Sequence, residues 1–437
     1  MSSMGNERKK LLILAANAES IPIVKTAQEM GIYTIVTDYI AGSPAKEIAD
    51  QYFDIDGKDI ETLEKLVEQE AVDGILVGCA DPLVPSYVSL CKRTLRPCYI
   101  PEYALGFFTD KTVFKRICRE TGIPVIKSFF EGTCYEKVPV DDLVFPVIVK
   151  PAVGRGGRGV SLCREISELK EAFVKAKRYA DNEEVIVEEY FEGDDVTVNY
   201  LFYNGEPHLI ALMDRHVLKE AGSISAVTYG GSYPSEYTDA FMAHWYEKFY
   251  RLLKKVGIQN GLLNIQMFVK NGIFYPYDPD GVLNAELSGP IYPTVYQTDI
   301  IRHLIEFALT GDMQIREPLK EDGSIPGNKA AASIWILLKP GKVKTLKGRK
   351  SLDDNPYVLS YVWRLEESAE VTDEMARTEK ATLARIWIAA ENKRQLQEQI
   401  KGIRAAIHAF DKYGNDLVCR EMEGSKEKWN IRRTGIK

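Results

Sequence analysis

The first hundred residues alternate between short apolar segments and longer amphipathic ones. Lys10–Ala15, Tyr33–Thr37 and Gly74–Val77 are apolar runs of buried-strand length, and the helix-like segments Ile21–Met30 and Asp59–Glu70 stand between them. Strands joined through helices of this length need crossover connections, which place the strands side by side in a parallel sheet. We therefore predict a parallel α/β domain at the start of the chain.

The turn after the first of these strands excludes one common use of such a domain. Residues Ala15–Ser20 read AANAES and lack the pattern G-x-G-x-x-G. Without those glycines the backbone cannot come close to a pyrophosphate. The sequence therefore disfavours a hydride-transfer dehydrogenase, an alternative that nicotinamide binding without ATP binding would restore.

Composition limits the remaining classes of protein. A chain of 437 residues is long enough for two or three packed units, and its net charge of −7 is unlike that of nucleic-acid-binding proteins. The seven cysteines are scattered without a CxxC pair, which is typical of reduced thiols. No segment has the length of a membrane span, and the first residues lack the apolar core of a secretory signal. We predict a cytoplasmic protein that binds neither nucleic acid nor membranes.

From Thr109 onward the pattern changes to strand-like segments with fewer helices, which predicts an antiparallel sheet with helices packed on it. We predict helices at Lys111–Thr121 and Thr238–Val256, and a loop from Asp214 to Ser235. The polar segment Arg316–Asn328 contains two prolines and two glycines and is interpreted as a linker. The chain is therefore predicted to have three parts, with boundaries at 1–108, 109–315 and 316–437.

The strongest local motif is Val147–Gly159, which reads VIVKPAVGRGGRG. An apolar strand ends in Lys150, and a turn with four glycines follows it. A turn of this kind can wrap a polyphosphate with its backbone N–H groups, because no side chains hold the ligand away. The glycines are Gly154, Gly156, Gly157 and Gly159.

Three cations accompany these glycines. Lys150 would reach the inner phosphates of a bound polyphosphate, and Arg155 and Arg158 would neutralise charge at its outer end. An ordinary glycine-rich hairpin is the alternative interpretation. A P-loop is excluded, because G-x-x-x-x-G-K-[ST] is absent.

Two further motifs are acidic. In Val185–Asp195 an apolar strand runs into an acidic turn, where the backbone can bind an adenine edge and a carboxylate can bind ribose hydroxyls; a solvated turn is the alternative. Gln266 lies on one predicted strand, and Asp278 and Asp280 follow the next. Alternate residues of a strand point the same way, so these oxygens can share a cavity and hold Mg²⁺. A DPDG turn, in which an aspartate caps its own backbone, is the alternative for this second motif.

Together and in this order, the motifs resemble the ATP-grasp superfamily, which includes D-alanine–D-alanine ligase, biotin carboxylase and the synthetase domains of carbamoyl-phosphate synthetase. The resemblance extends over essentially the whole chain. It implies an α/β and α+β fold with three parts: an N-terminal parallel α/β (pre-ATP-grasp) domain, a central ATP-grasp domain and a small C-terminal α+β unit.

The resemblance also implies roles for individual residues. Lys111 looks like the first nucleotide lysine of the family and Lys150 like the second, and the glycine-rich turn looks like a mobile phosphate lid. The adenine and ribose positions correspond to Glu188, Glu189, Phe191 and Asp195. The magnesium positions correspond to Gln266, Asp278 and Asp280.

The metal strand departs from the family at one position. Many members end this strand with E-x-N-P-R, whereas here it reads Asp278-Pro-Asp-Gly-Val282, and valine cannot replace the arginine. Loss of one charge-stabilising donor typically slows a reaction by about 10²–10³. Arg215 or Arg302 is a candidate for the missing charge, and His216 and Lys219 in the same predicted loop as Arg215 are candidates for binding a substrate carboxylate.

The activity that the resemblance implies is an ATP- and Mg²⁺-dependent, ADP-forming ligase. A carboxylate would attack the γ-phosphate to give an acylphosphate, and an amine would then displace phosphate to give an amide. The alternatives are a biotin-carboxylase-like enzyme, a phosphoribosylamine–glycine-ligase-like enzyme and a non-catalytic nucleotide-binding protein. The expected partners are small-molecule carboxylates and amines, and a homodimer is the commonest assembly for such enzymes.

Overall fold

The computed structural model describes residues 8–154, 157–219, 226–283, 290–315, 319, 329–376 and 378–420. The chain divides into two compact units. The first unit comprises residues 1–212, 237–288 and 297–323, and the second comprises residues 213–236, 289–296 and 324–437. The predicted division into three sequential parts stays a prediction. None of the helices among the described residues is both long and apolar enough to cross a membrane.

The first unit begins with a four-stranded parallel sheet in the order β3-β2-β1-β4. Residues Leu11–Leu14 of its central strand are fully buried, as expected for a parallel strand with both faces covered. The predicted strands and helices of this region are confirmed to within one residue. Its elements are β1 (Lys10–Leu14), α1 (Ile21–Glu29), β2 (Tyr33–Thr37), β3 (Gln51–Phe53), α2 (Ile60–Gln69), β4 (Gly74–Val77), α3 (Val84–Thr94) and α4 (Leu105–Thr109).

A four-stranded antiparallel sheet follows, in the order β5-β8-β6-β7. The helix α6 packs on it, and Leu169 and Phe173 of that helix form a core with Val147, Val149 and Val187. The elements are α5 (Lys111–Glu120), β5 (Ser128–Gly132), β6 (Val147–Pro151), β7 (Ser161–Cys163), α6 (Ile166–Tyr179) and β8 (Val185–Glu189).

The next elements contribute to both units. In the first unit the strand order is β13-β12-β9-β10, with β12 antiparallel to both of its neighbours. The elements are β9 (Asp194–Tyr203), β10 (Glu206–Lys219), β11 (Ala226–Tyr233), α7 (Thr238–His244), α8 (Tyr246–Val256), β12 (Gly261–Lys270) and β13 (Ile273–Asp280).

Two predictions for this region are wrong. The single helix expected at Thr238–Val256 is two helices that meet at Trp245, whose indole N–H donates to the Gly272 carbonyl at 3.1 Å. The loop expected from Asp214 to Ser235 consists largely of strand, because β10 continues to Lys219 and β11 pairs antiparallel with it. Residues 220–225 lie outside the described residues.

In the second unit, the strands follow the order β10-β11-β14-β19-β17. The helix α11 covers one face of β14 and β19, and Ile334, Ile386 and Ile400 lie in the resulting core. Of the remaining elements, α9 (Ile300–Thr310) belongs to the first unit. The others are β14 (Ala330–Leu337), β15 (Gly341–Lys342), β16 (Thr345–Lys347), α10 (Arg349–Asp353), β17 (Val358–Trp363), β18 (Glu370–Val371), β19 (Thr382–Ala390), α11 (Lys393–Ala406) and β20 (His408–Phe410).

Candidate active site

The first unit contains a cavity of about 160 Å³ that brings together residues from four separate segments of the chain. Cationic side chains and the carboxylates of Asp81 and Asp278 are among the residues around it. Its lining residues are Asp81, Phe108, Thr109, Lys111, Lys150, Pro151, Gly154, Gly157, Arg158, Val160, Tyr277, Asp278 and Pro279. Most of the predicted phosphate-binding residues therefore meet around one cavity.

Lys111 lies at the first position of α5. The helix begins there because the Asp110 carboxylate accepts the N–H of Thr112 at 2.8 Å, which satisfies one of the free donors at a helix start. The Lys111 ammonium donates to the Gly154 carbonyl at 2.9 Å. One lysine thus ties the start of α5 to the start of the glycine-rich turn.

Lys150 lies at the end of β6, and its ammonium is 2.5 Å from Oε1 of Glu188 on β8. The other carboxylate oxygen of Glu188 accepts from the ammonium of Lys115 at 2.5 Å. Burial raises the pKa of Glu188, but the ammonium groups of Lys150 and Lys115 outweigh that effect and hold it below its usual range. The Glu188 side chain, predicted at the adenine position, is therefore an anion held between two lysines.

The glycine-rich turn connects the antiparallel strands β6 and β7. Gly157 and Gly159 have φ angles of +69° and +77°, which favour glycine. At Gly159 a Cβ atom would also lie 2.8 Å from Cβ of Tyr179, whereas nothing lies within 4 Å at Gly157. Arg158 is exposed and lines the cavity. Of the predicted residues of this turn, Arg155 and Gly156 lie outside the described residues.

The predicted magnesium residues lie on one face of β12 and β13. Gln266 is directly opposite Asp278, and Asn264 is directly opposite Asp280. The register shifts between Gln266 and Met267, so Tyr277 is an extra residue on β13. This bulge places the Tyr277 ring and the Asp278 carboxylate together at the cavity.

The bulged tyrosine connects the predicted ribose and metal positions. The Tyr277 hydroxyl is 3.0 Å from Oδ1 of Asp195 and 3.0 Å from Oε1 of Gln266. Its ring stacks on Phe268, with ring centroids 4.5 Å apart. Asp195 is only 6% exposed, so this contact with its carboxylate is buried.

Asp280 has a local role in the backbone that follows β13. Its Oδ1 accepts the N–H of Val282 at 3.1 Å, as in a turn that an aspartate caps itself. The Val282 carbonyl in turn accepts from the Asn264 amide at 2.7 Å. Val282 is therefore held just after the end of the strand. The turn interpretation of the DPDG segment applies to Asp280, and its magnesium role stays a prediction.

Beyond this region the same face of the sheet becomes aromatic. Phe191 contacts Tyr275 with ring centroids 4.5 Å apart and Phe268 at 5.9 Å. The Lys270 ammonium lies 4.9 Å from the centroid of the Phe191 ring. A second cavity of about 390 Å³ opens here, and Glu189 and Phe191 are among its lining residues.

The two arginines named as substitutes for the missing family arginine lie elsewhere. Arg215 belongs to the second unit, where its guanidinium donates to the Thr228 hydroxyl at 3.0 Å. Arg302 lies on α9, and its Nε is 3.4 Å from Oδ2 of Asp299. Among the residues that the structure describes, Arg158 is the arginine that lines the 160 Å³ cavity.

Two site residues were not found from the sequence. Lys115 lies one helical turn after Lys111. In the sequence it is one more lysine of an amphipathic helix, with nothing to indicate a role in the site. Tyr277 was read as part of a regular strand, because a bulge leaves no reliable signal in a single sequence. A buried ion pair and a bulge both depend on contacts made across the fold.

Comparison with known proteins identifies the class. Residues 143–277 match the ATP-grasp domain model. Formate-dependent phosphoribosylglycinamide formyltransferase of Bacteroides thetaiotaomicron is 26% identical over 279 residues, which are 61% of this chain and 69% of the relative. The enzyme of the same name from Bacillus subtilis is 24% identical over 355 residues, 80% of this chain and 84% of the relative.

Solved structures share the fold over most of the chain. Phosphoribosylglycinamide synthetase from Anaerococcus prevotii has a TM-score of 0.73 at 20% identity, covering 93% of this chain and 100% of its own. L-amino acid ligase from Bacillus licheniformis has a TM-score of 0.73 at 14% identity, covering 93% and 99%.

The chain therefore carries an ATP-grasp domain, and the predicted ATP-grasp recognition and fold class are confirmed. The predicted enzyme class is confirmed as well: an ATP-dependent, ADP-forming ligase that makes carbon–nitrogen bonds, with ATP and Mg²⁺ as cofactors and small molecules as substrates.

Proposed function

We propose that the chain phosphorylates a substrate carboxylate with ATP and joins it to an amine, using the 160 Å³ cavity for the triphosphate. One observation carries this proposal: the same cavity is lined by Lys111, Lys150, Arg158 and Asp278. Cations suit phosphate oxygens, and a carboxylate suits the metal ion that accompanies them.

In this proposal the phosphates bind between the glycine-rich turn and the strand β13. Lys150 contacts the inner phosphates and Arg158 the outer one, with the backbone of Gly157 beside them. Lys111 supports the turn through the Gly154 carbonyl. Most of the rate acceleration then comes from positioning and charge neutralisation, as is usual for phosphoryl transfer.

The oxygen atoms of β12 and β13 fit Mg²⁺, which prefers carboxylate and amide oxygens together with phosphates. Gln266 and Asp278 would hold the ion, since they face each other directly and the Tyr277 hydroxyl orients the Gln266 amide. Asp280 lies on the same face, opposite Asn264, and would contribute a further carboxylate. When bound, the metal supplies neutralisation of charge that develops on the transferred phosphoryl group.

The aromatic face is proposed to bind the base and sugar of the nucleotide. Phe191 and Phe268 offer ring surfaces for the adenine, and the strand that ends at Glu189 offers backbone groups. Asp195 would bind ribose hydroxyls with its orientation fixed by Tyr277. The adenine and ribose positions proposed here are the ones that the resemblance to the family implies.

Arg158 is proposed to supply the positive charge that Val282 cannot. It lines the same cavity as the two lysines and stands on a turn that can move its guanidinium. Arg215, in the second unit, is proposed to bind an anionic group of a substrate. We further propose that the chain is cytoplasmic, as its scattered cysteines indicate, and that it forms a homodimer, the commonest assembly for such enzymes.

ADP release from Mg·ATP tests the proposal. Pooled carboxylates are crossed with pooled amines, with formate and amino acids included because of the names of the relatives, and bicarbonate is a separate arm. Release that requires both a carboxylate and an amine supports the ligase. Release with bicarbonate alone would favour the carboxylase alternative, and ATP binding without release in any arm would favour a non-catalytic protein.

Two variants test whether the 160 Å³ cavity is the phosphate site. Lys150→Met removes one of the three cations that line the cavity, the one proposed to contact the inner phosphates, and should abolish ADP release. Lys92→Met removes an exposed lysine that pairs with Glu102 and should leave the activity unchanged. Equal activity of the two variants would contradict the proposed phosphate site.

A further inference from the structure

Three charged side chains form a buried cluster beside the cavity, which we call the charge triad: Lys115, Glu188 and Lys150. The Glu188 carboxylate lies between the two ammonium groups, at 2.5 Å from each. The side chains of Lys115, Glu188 and Lys150 are 3%, 5% and 11% exposed. Charges this deep are weakly screened by water, so the sign and number of charges in the triad affect the cavity strongly.

Lys115 is buried away from solvent and has no donor left for a ligand. Its ammonium donates to the Ile126 carbonyl at 3.0 Å, to the Ser128 hydroxyl at 2.8 Å and to Glu188. An ammonium has three N–H donors, and these three contacts use all of them. Lys115 therefore acts on a ligand only through its neighbours.

The triad carries two positive charges and one negative charge, so its net charge is +1. Lys150 is the member that lines the cavity. Without Lys115, Glu188 and Lys150 would form a neutral ion pair, and the wall would lose the charge that attracts phosphate. Glu188 would also be free to draw Lys150 away from the cavity.

We infer that Lys115 is a positioning residue for the nucleotide, an inference that rests on the proposed function. Because Lys115 shares Glu188 with Lys150, it fixes the position of the Lys150 ammonium. It also keeps the net charge of the charge triad at +1 next to the triphosphate. The same helix carries Lys111, which holds the glycine-rich turn. The helix α5 therefore positions both phosphate-contacting segments. Lys111 holds the glycine-rich turn, and Lys115 positions Lys150 through Glu188.

The test is nucleotide binding measured by calorimetry on the full chain, with ATP and adenosine as ligands. Lys115→Met is expected to weaken ATP binding about tenfold or more, because the cavity loses a net charge at short range. Adenosine binding should be unchanged, since adenosine has no phosphate. A variant that only disturbs packing would weaken both ligands together.

A second substitution distinguishes charge from structure. In K115M/E188Q the triad again has a net charge of +1, so ATP binding should recover to near the wild-type value. Lys46→Met is the matched control, because Lys46 is a buried lysine paired with Asp54 away from the cavity. Its ATP affinity should equal that of the wild type.

Wild-type ATP affinity in K115M, or no recovery in K115M/E188Q, would overturn the inference while leaving the proposed function intact. If K115M does not fold, as judged by its thermal unfolding, the double variant alone decides, and a tenfold loss there would overturn the inference. A wild-type chain that binds adenosine but not ATP would overturn the proposed function itself, and the inference with it.

Discussion

Gln266 and Asp278 stand directly opposite each other on the antiparallel strands β12 and β13, next to a bulge that inserts Tyr277. Opposed residues of such a pair have their Cβ atoms about 4.5–5.5 Å apart, close enough for both side chains to bind one ion. The bulge then turns the next side chain, Tyr277, toward the same face. This local irregularity brings the proposed metal and ribose positions together.

The two aspartates of β13 should differ in their effect on magnesium. Asp278→Asn is expected to raise the Mg²⁺ concentration for half-maximal activity by about tenfold or more, since it removes a carboxylate ligand. Asp280→Asn should have a smaller effect, because one oxygen of Asp280 already binds the N–H of Val282. Mg²⁺ titrations of ADP release measure both. Equal shifts, or no shift in D278N, would contradict the metal assignment.

Removal of the Tyr277 hydroxyl should take away a donor that lies between two acceptors. Tyr277→Phe keeps the ring stacked on Phe268 but loses the contacts with Asp195 and Gln266. Its free energy of unfolding should fall by about 1–3 kcal/mol, and its preference for ATP over 2′-deoxy-ATP should decrease. Tyr275→Phe, at a neighbouring ring, is the control. Stability and nucleotide preference like those of the wild type would refute the role given to this hydroxyl.

The glycines of the turn should tolerate alanine unequally. Both Gly157 and Gly159 have positive φ angles, but only Gly159 would place its new Cβ within 3 Å of Tyr179. Gly159→Ala should therefore lower the free energy of unfolding by more than Gly157→Ala, whose strain is about 1 kcal/mol. Urea unfolding of both variants checks this order, and the reverse order would show that the turn packs differently against α6.

Asp214 in the second unit should make stability depend on pH. Burial raises the pKa of Asp214 to about 6 from its ordinary value of 3.8, despite hydrogen bonds from Ser235 and the N–H of Glu236. A raised pKa gives stability that is present below about 3.8 and is lost as the pH rises through about 6. Asp214→Asn does not ionise, so its stability relative to the wild type should increase from pH 4 to pH 7.

Thermal unfolding across this pH range measures the effect, with Asp411→Asn as the control. The hydrogen bond from the Asn415 side chain lowers the pKa of Asp411, so its contribution is lost as the pH falls rather than as it rises. The two variants should therefore show opposite trends. A difference between D214N and the wild type that does not change with pH would contradict the buried carboxylate.

The sequence predicted elements whose pattern is local. The parallel strands of the first unit are continuous apolar runs, and Lys111 and Lys150 were placed at the cavity by the strand and helix ends beside them. The strand β13 was harder to delimit, because Pro276 and Pro279 suggest a turn. Proline is tolerated there because β13 is the edge strand of its sheet.

What the sequence did not reveal depends on distant partners. The strand β11 was interpreted as loop because Gly230 and Gly231 interrupt its pattern, and its pairing with β14 spans about a hundred residues of sequence. Lys115 lies on a charged helix, and its partner Glu188 is 73 residues away. Neither contact can be inferred from neighbouring residues.

The most direct test of the central claim follows oxygen from the carboxylate. The substrate pair found by ADP release is prepared with ¹⁸O in the carboxylate and incubated with the full chain and Mg·ATP. If the carboxylate attacks the γ-phosphate, one ¹⁸O atom must appear in the phosphate that the amine displaces. Labelled phosphate, formed in step with the amide, is the result that we predict. Unlabelled phosphate alongside amide formation would show that no acylphosphate forms and would contradict the proposed reaction.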